Sequence, residues 1–136
     1  MSAAPGNAEA YYLDTSVLLH VVYADSPAAV RWFAEREPLT MLSSVLLRLE
    51  AVRALRRDGL PPKAADAHLS HVALCSVDPD VMQYAEQIPY PLRSLDAIHL
   101  GTLMAVSPTL TLASHDANML AVAAKLGLRT VDPLAP

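Results

Sequence analysis

The sequence predicts an α/β fold, a three-layer α/β/α sandwich around a central parallel sheet of four to five strands. Three observations carry that prediction. Short apolar runs alternate with longer segments of helical character along the 136 residues. The strand-like runs are continuously apolar rather than alternating, as strands covered on both faces are. And 53% of the residues are hydrophobic while 5% are aromatic, so Leu, Val and Ala must fill a sizeable core.

Residues 1–8 read as a flexible tail, and 9–136 as one domain. Tyr11-Tyr12-Leu13 is a buried strand that ends at Asp14-Thr15-Ser16, a group of helix-capping residues, and Val17 to Tyr23 follows as a helix. Ser26 caps and Pro27 opens a second helix running to Arg36. Leu39 to Leu42 reads as the second strand. Ser43-Ser44 caps a long helix that ends near Asp58, with Gly59 behind it.

Pro61-Pro62 opens a helix to about Ser70, and Val72 to Val77 is the third strand. Asp78-Pro79 starts a helix that Pro89 and Pro91 break. Ser94 caps the next, which runs to about Val106. Thr109 to Ala113 is the fourth strand. Asp116 or Ser114 caps a last helix stopped by Gly127, and Leu128 to Val131 is the final strand.

Composition narrows the class. The single cysteine, Cys75, forms no internal disulfide, and no Cys cluster exists for zinc or iron–sulfur binding. It reads as a small core residue. The N-terminus lacks the basic start and apolar stretch of a secretory signal, and no apolar run is long enough to span a bilayer. A reducing cytoplasm with no membrane contact is the expected setting. A formal net charge of −4 argues against a protein that coats nucleic acid with a basic face. An acidic protein can still bind phosphate if cations supply the positive charge.

In open parallel sheets ligands bind beyond the carboxyl ends of the strands. Asp14 and Asp116 fall there, the first immediately after the first strand and the second after two residues beyond the fourth. Each has a simpler reading as a helix N-cap. Glu50 shares a helical stripe with Leu46, Arg53 and Arg57, lying about 40° from Leu46 at 100° per residue. Its simpler reading is an ion pair with Arg53 on a solvated face. Asp96 sits in a helix that is apolar almost all round, Leu92-Arg93-Ser94-Leu95-Asp96-Ala97-Ile98-His99-Leu100. A buried acid is costly unless paired or metal-bound. Its simpler reading is a first-turn anion stabilised by the helix dipole.

Taken together, the four acids repel one another unless a cation joins them. Oxygen ligands without a Cys or His set favour Mg²⁺ or Mn²⁺ over zinc. Such a centre suits phosphoryl transfer to water. Arg53, Arg57 and Arg93 are the candidate contacts to substrate phosphate.

These segments resemble the motifs of one family. Tyr12-Leu13-Asp14-Thr15-Ser16-Val17-Leu18-Leu19 is similar to the opening motif of PIN-domain proteins, and Leu49-Glu50-Ala51-Val52-Arg53 to the one carrying their glutamate. Leu92 to Leu100 resembles the third motif, and Ser114-His115-Asp116 with Leu120 to Leu128 the last. Within the family the chain looks most like VapC, the toxin of bacterial toxin–antitoxin pairs.

The resemblance implies a PIN-like sandwich. It implies an endoribonuclease toxin of a type II system, dependent on Mg²⁺ or Mn²⁺, whose catalytic and metal-binding acids are Asp14, Glu50, Asp96 and Asp116. Ser16 matches the small polar residue supporting the first acid. RNA is the implied substrate, a cognate VapB-type antitoxin the implied inhibitor, and a homodimer, or a larger toxin–antitoxin assembly, the implied state. His115 departs from the family, which often has Tyr there. His99 fits the family pattern and reads as a packed core histidine. Two further readings stay open: a receiver-like phosphoacceptor module, disfavoured because Lys125 lies within a helix, and a PIN scaffold that only binds protein.

Overall fold

The computed structural model describes residues 9–136, so the expected tail at 1–8 lies outside the described residues. β1 (Tyr11–Leu13) feeds α1 (Thr15–Val22) and α2 (Pro27–Ala34). Next come β2 (Met41–Ser44), α3 (Leu46–Arg57), a 3-10 turn (Pro62–Ala65) running into α4 (Asp66–Leu69), and β3 (Val72–Cys75). The chain continues through α5 (Pro79–Glu86), α6 (Ser94–Val106), β4 (Thr111–Ala113), α7 (Ala117–Lys125) and β5 (Arg129–Val131).

All strand pairs are parallel, in the order β3-β2-β1-β4-β5. The chain builds outward from β1 to β3, then returns to lay β4 on the other side of β1. Connections leaving β1 and β4 therefore diverge, and a crevice opens between their carboxyl ends. Leu13 pairs with Ala113 at that point, and the backbone N–H of Asp14 donates to the Ala113 carbonyl at 2.9 Å.

Neighbouring strand residues face opposite layers, as the pleat requires. Leu13, Met41 and Ala113 join Val17, Leu18, Leu47, Ala51 and Leu55 in one core. Tyr12 and Leu112 join Leu100, Leu103, Met119 and Val122 in the other. The centre of the sheet is thus covered on both faces, which explains the consecutive apolar residues of β1 and β4. Each fully buried Leu contributes about 1.5–3 kcal/mol.

Several expected boundaries move. Leu39 has a φ of 67°, a left-handed conformation no strand holds, and the second strand starts at Met41 instead. Ser43 and Ser44 thereby become buried strand residues, although the Ser44 hydroxyl still accepts the Leu46 N–H at 3.1 Å. The helix expected at 61–70 splits into the 3-10 turn and α4. The third, fourth and fifth strands are each shorter than expected. Cys75 is half-buried on edge strand β3 rather than in a core. Trp32 packs inside, edge-on to Tyr11 with the Arg36 guanidinium over its ring.

Candidate active site

The end of β1 places Asp14 at the head of α1, 5% exposed. It occupies the N-cap position with extended backbone, yet its carboxylate makes no cap bond. Oδ2 instead accepts from Ser16 Oγ at 2.7 Å and Ser114 Oγ at 2.8 Å. Each hydroxyl also accepts a backbone N–H at 3.0 Å: Ser16 that of His115 across the crevice, and Ser114 that of Asp116 in its own turn. Two serines thus stitch the ends of β1 and β4 together and leave Oδ1 of Asp14 without a hydrogen bond among the described residues.

Asp116 does cap its helix, Oδ1 accepting the Met119 N–H at 3.0 Å. Its other oxygen accepts from Arg93 Nη2 at 3.3 Å. Asp96, in the first turn of α6, accepts from Arg93 Nε at 3.1 Å. Ser94, expected to cap α6, is its first residue, and Arg93 holds the cap position without a side-chain bond. The first turn is not buried all round, since Leu95 is exposed. Burial pushes the Asp96 carboxyl above its ordinary value; Arg93 opposes this, and the charges of Asp14 and Asp116 push it further up.

Glu50 makes no ion pair with Arg53. Its Oε1 accepts from Thr15 Oγ1 at 2.8 Å and lies 2.6 Å from His99 Nε2. Burial alone would raise this carboxyl, but hydrogen bonds from His99 and Thr15, with the Arg93 charge, hold it below the ordinary range.

The structure therefore brings Asp96 and Asp116 onto one guanidinium, ties Asp14 to the Asp116 backbone through Ser114, and hangs Glu50 from Thr15 beside Asp14. Among the described residues, no three His, Cys, Asp or Glu side chains are close enough to hold a metal ion as they stand. Beside Glu50 lies a cleft of about 770 Å³, bordered by Leu49, Leu95, Arg53, Arg57 and Arg93. Arg57 pairs with Asp58 at 3.2 Å, and Arg93, an expected phosphate contact, is engaged by the two aspartates.

Three polar residues of the site were not singled out by the sequence in these roles: Thr15, Ser114 and His99. Thr15 and Ser114 each neighbour or flank an acid within its motif. His99 lies one helical turn after Asp96 in an apolar stretch, where a polar residue needs partners.

The fold and its carboxyl-edge site define a PIN-domain protein: the model of the family described as PIN domain matches residues 11–132, and the chain belongs to that family. Its relatives within the family are VapC proteins. It is 34% identical over 131 residues to Ribonuclease VapC35 of Mycobacterium tuberculosis, covering 90% of this chain and 96% of the relative. It is 37% identical over 129 residues to Ribonuclease VapC46 of the same species, covering 91% and 98%.

Among solved structures, the fold is similar to a toxin–antitoxin complex from Klebsiella pneumoniae, with a TM-score of 0.74 at 17% identity over 91% of this chain and 98% of that one. It is also similar to VapC20 of Mycobacterium tuberculosis, described as a sarcin–ricin loop cleaving toxin, with a TM-score of 0.69 at 18% identity over 91% and 100%. At these identities the structural likeness speaks for the fold alone. No helix among the described residues is long and apolar enough to cross a membrane.

Proposed function

We propose that this protein is a Mg²⁺- or Mn²⁺-dependent endoribonuclease toxin of a type II toxin–antitoxin system, hydrolysing RNA phosphodiester bonds. The observation that carries the reading is the set of carboxylates at the β1/β4 switch point, two of them, Asp96 and Asp116, sharing one cationic group. The names of the sequence relatives, which are ribonucleases, support the reaction class.

The donor set fits a hard divalent cation. Its oxygens are carboxylates and hydroxyls, and the Arg93 guanidinium already stands where positive charge is favoured. The fit requires Arg93 to give way and the carboxylates to draw in, because no ready-made group of three exists among the described residues. Asp14, Asp96 and Glu50 would hold the ion, with Asp116 acting directly or through water. When bound, the ion supplies charge stabilisation to the phosphate and lowers the pKa of the attacking water. Ser16 and Ser114 fix which Asp14 oxygen stays free. Arg53 and Arg57, with Arg93 once released, would bind flanking phosphates in the cleft.

A cognate VapB-type antitoxin is the proposed inhibitor, covering the same cleft, and a homodimer the proposed toxin assembly. Structural neighbours include VapBC2 of Rickettsia felis and FitAB, each bound to DNA. The setting would be the bacterial cytoplasm.

The test is short induction of the protein in a bacterial host followed by sequencing of new RNA ends, with Asp14→Asn as control. Growth arrest and discrete new ends, both lost in Asp14→Asn, are expected. Equal cleavage by Asp14→Asn would remove the assigned centre. Purified protein should cleave the mapped RNA only with Mg²⁺ or Mn²⁺, and Arg53→Gln should raise KM.

A further inference from the structure

Behind Glu50 lie two buried polar side chains. Tyr12 and His99 are both fully shielded from solvent. The Tyr12 hydroxyl lies 2.8 Å from Nδ1 of His99, and Nε2 of the same ring lies 2.6 Å from Oε1 of Glu50. The rings of Tyr12 and His99 meet edge to face. A carboxylate oxygen only accepts, so the ring proton belongs on Nε2, facing Glu50, and the Tyr12 hydroxyl is placed to donate to Nδ1.

The geometry has a second consequence. Glu50 Oε1 is occupied twice, by His99 and by Thr15, while Oε2 has no hydrogen bond among the described residues. Glu50 belongs to α3, whose apolar side joins one core, and His99 to α6, whose Leu100 and Leu103 join the other. The contact therefore runs between the two layers, and it comes one turn after Asp96 on the same helix. A glutamate side chain is otherwise free to sample several rotamers, and ordering it is costly. A buried imidazole with both nitrogens partnered removes that freedom.

We propose that His99 is a positioning residue for Glu50: pinned by the Tyr12 hydroxyl, it holds Oε1 through its Nε2 proton and keeps Oε2 available to the acidic pocket. The activity arm of this inference rests on the nuclease reading; the geometry does not.

The experiment compares wild type with His99→Leu, His99→Gln and Tyr12→Phe, each checked for folding by circular dichroism. Ring ¹⁵N NMR reads the tautomer, calorimetry reads Mn²⁺ affinity, and kcat and KM are measured on a mapped RNA. The expected tautomer is protonated at Nε2 and bare at Nδ1. His99→Leu should lower kcat about 10–100-fold and weaken Mn²⁺ binding, with little change in KM. Gln can place its amide nitrogen where Nε2 stood, so His99→Gln should recover most of both losses.

A proton on Nδ1, a folded His99→Leu with wild-type kcat and Mn²⁺ affinity, or a Gln variant as impaired as Leu would each overturn the assignment. If His99→Leu does not fold, Tyr12→Phe decides: a reduced kcat at unchanged KM supports the assignment, and an unchanged kcat overturns it. Wild-type protein that cleaves no RNA with either ion would end the nuclease reading, while the tautomer and the Mn²⁺ affinities would still decide the positioning role.

Discussion

Asp96 and Glu50 sit in one site under opposite pressures. Burial raises Asp96, and Asp14 and Asp116 add to that, whereas bonds from His99 and Thr15 outweigh burial at Glu50 and lower it. A carboxyl raised in the folded state costs stability once pH exceeds its unfolded value, and the cost is complete above the folded one. Asp96→Asn should therefore raise Tm at neutral pH by roughly 2–4 °C, the size of a ~1 kcal/mol change in a chain of this length. The gain should vanish below the ordinary carboxylate range. The lost bond to Arg93 offsets little, since that side chain is 80% exposed. Activity should be abolished by the same substitution.

Glu50 gives the reverse sign. Its stabilisation is present above its ordinary pKa and is lost as pH falls through the lowered one. Glu50→Gln should cost about 1 kcal/mol at neutral pH, because bonds to a charged acceptor become bonds to a neutral one. The deficit should close on acidification. Thermal melts from pH 3 to 7 read both variants. A Tm for Asp96→Asn below wild type at pH 7 would contradict the account of that residue.

At the scale of elements, the sequence announced nearly every helix through its caps and breakers: Ser26 and Asp78 cap as expected, and Gly59 and Gly127 close α3 and α7 with positive φ. Strand edges were less legible. Leu39 is apolar and reads as strand, but the turn from Glu37 to Thr40 puts it in a left-handed conformation, and nothing in its own side chain signals that. The ordinary alternatives for the acids resolved individually. Asp116 caps, Asp14 does not, and Glu50 prefers a histidine from another helix to an arginine on its own.

One packing contact between elements makes a sharp prediction. A Cβ on Gly101 of α6 would lie 2.6 Å from the Val81 carbonyl oxygen and 3.0 Å from the Ala85 nitrogen, both in the backbone of α5. Alanine gains about 1 kcal/mol of helix propensity there. Overpacking against a fixed backbone costs about 1–3 kcal/mol and should win. Gly101→Ala should thus unfold at lower denaturant concentration than wild type, and an unchanged or higher midpoint would mean that α5 yields easily.

For the whole molecule, a parallel sheet with both faces covered was readable because the central strands carry consecutive apolar residues, such as Tyr12-Leu13 and Leu112-Ala113. The strand order was not. Nothing local in the sequence distinguishes β3-β2-β1-β4-β5 from other parallel arrangements, and that order alone makes β1 and β4 neighbours. The family motifs named the acids and Ser16, whereas Ser114, Thr15 and His99 take up their roles only when distant segments meet. Arg93 was expected at a substrate phosphate and is found across Asp96 and Asp116. It neutralises charge that four acids would otherwise leave unbalanced.

The proposed nuclease centre depends on a divalent cation replacing that guanidinium. Crystals soaked in Mn²⁺ and measured at the manganese absorption edge test this directly. An anomalous peak bounded by Asp14, Asp96 and Glu50, with Arg93 swung away, is the predicted result. A saturating soak that leaves Arg93 on both aspartates, with no peak in the crevice, would contradict it.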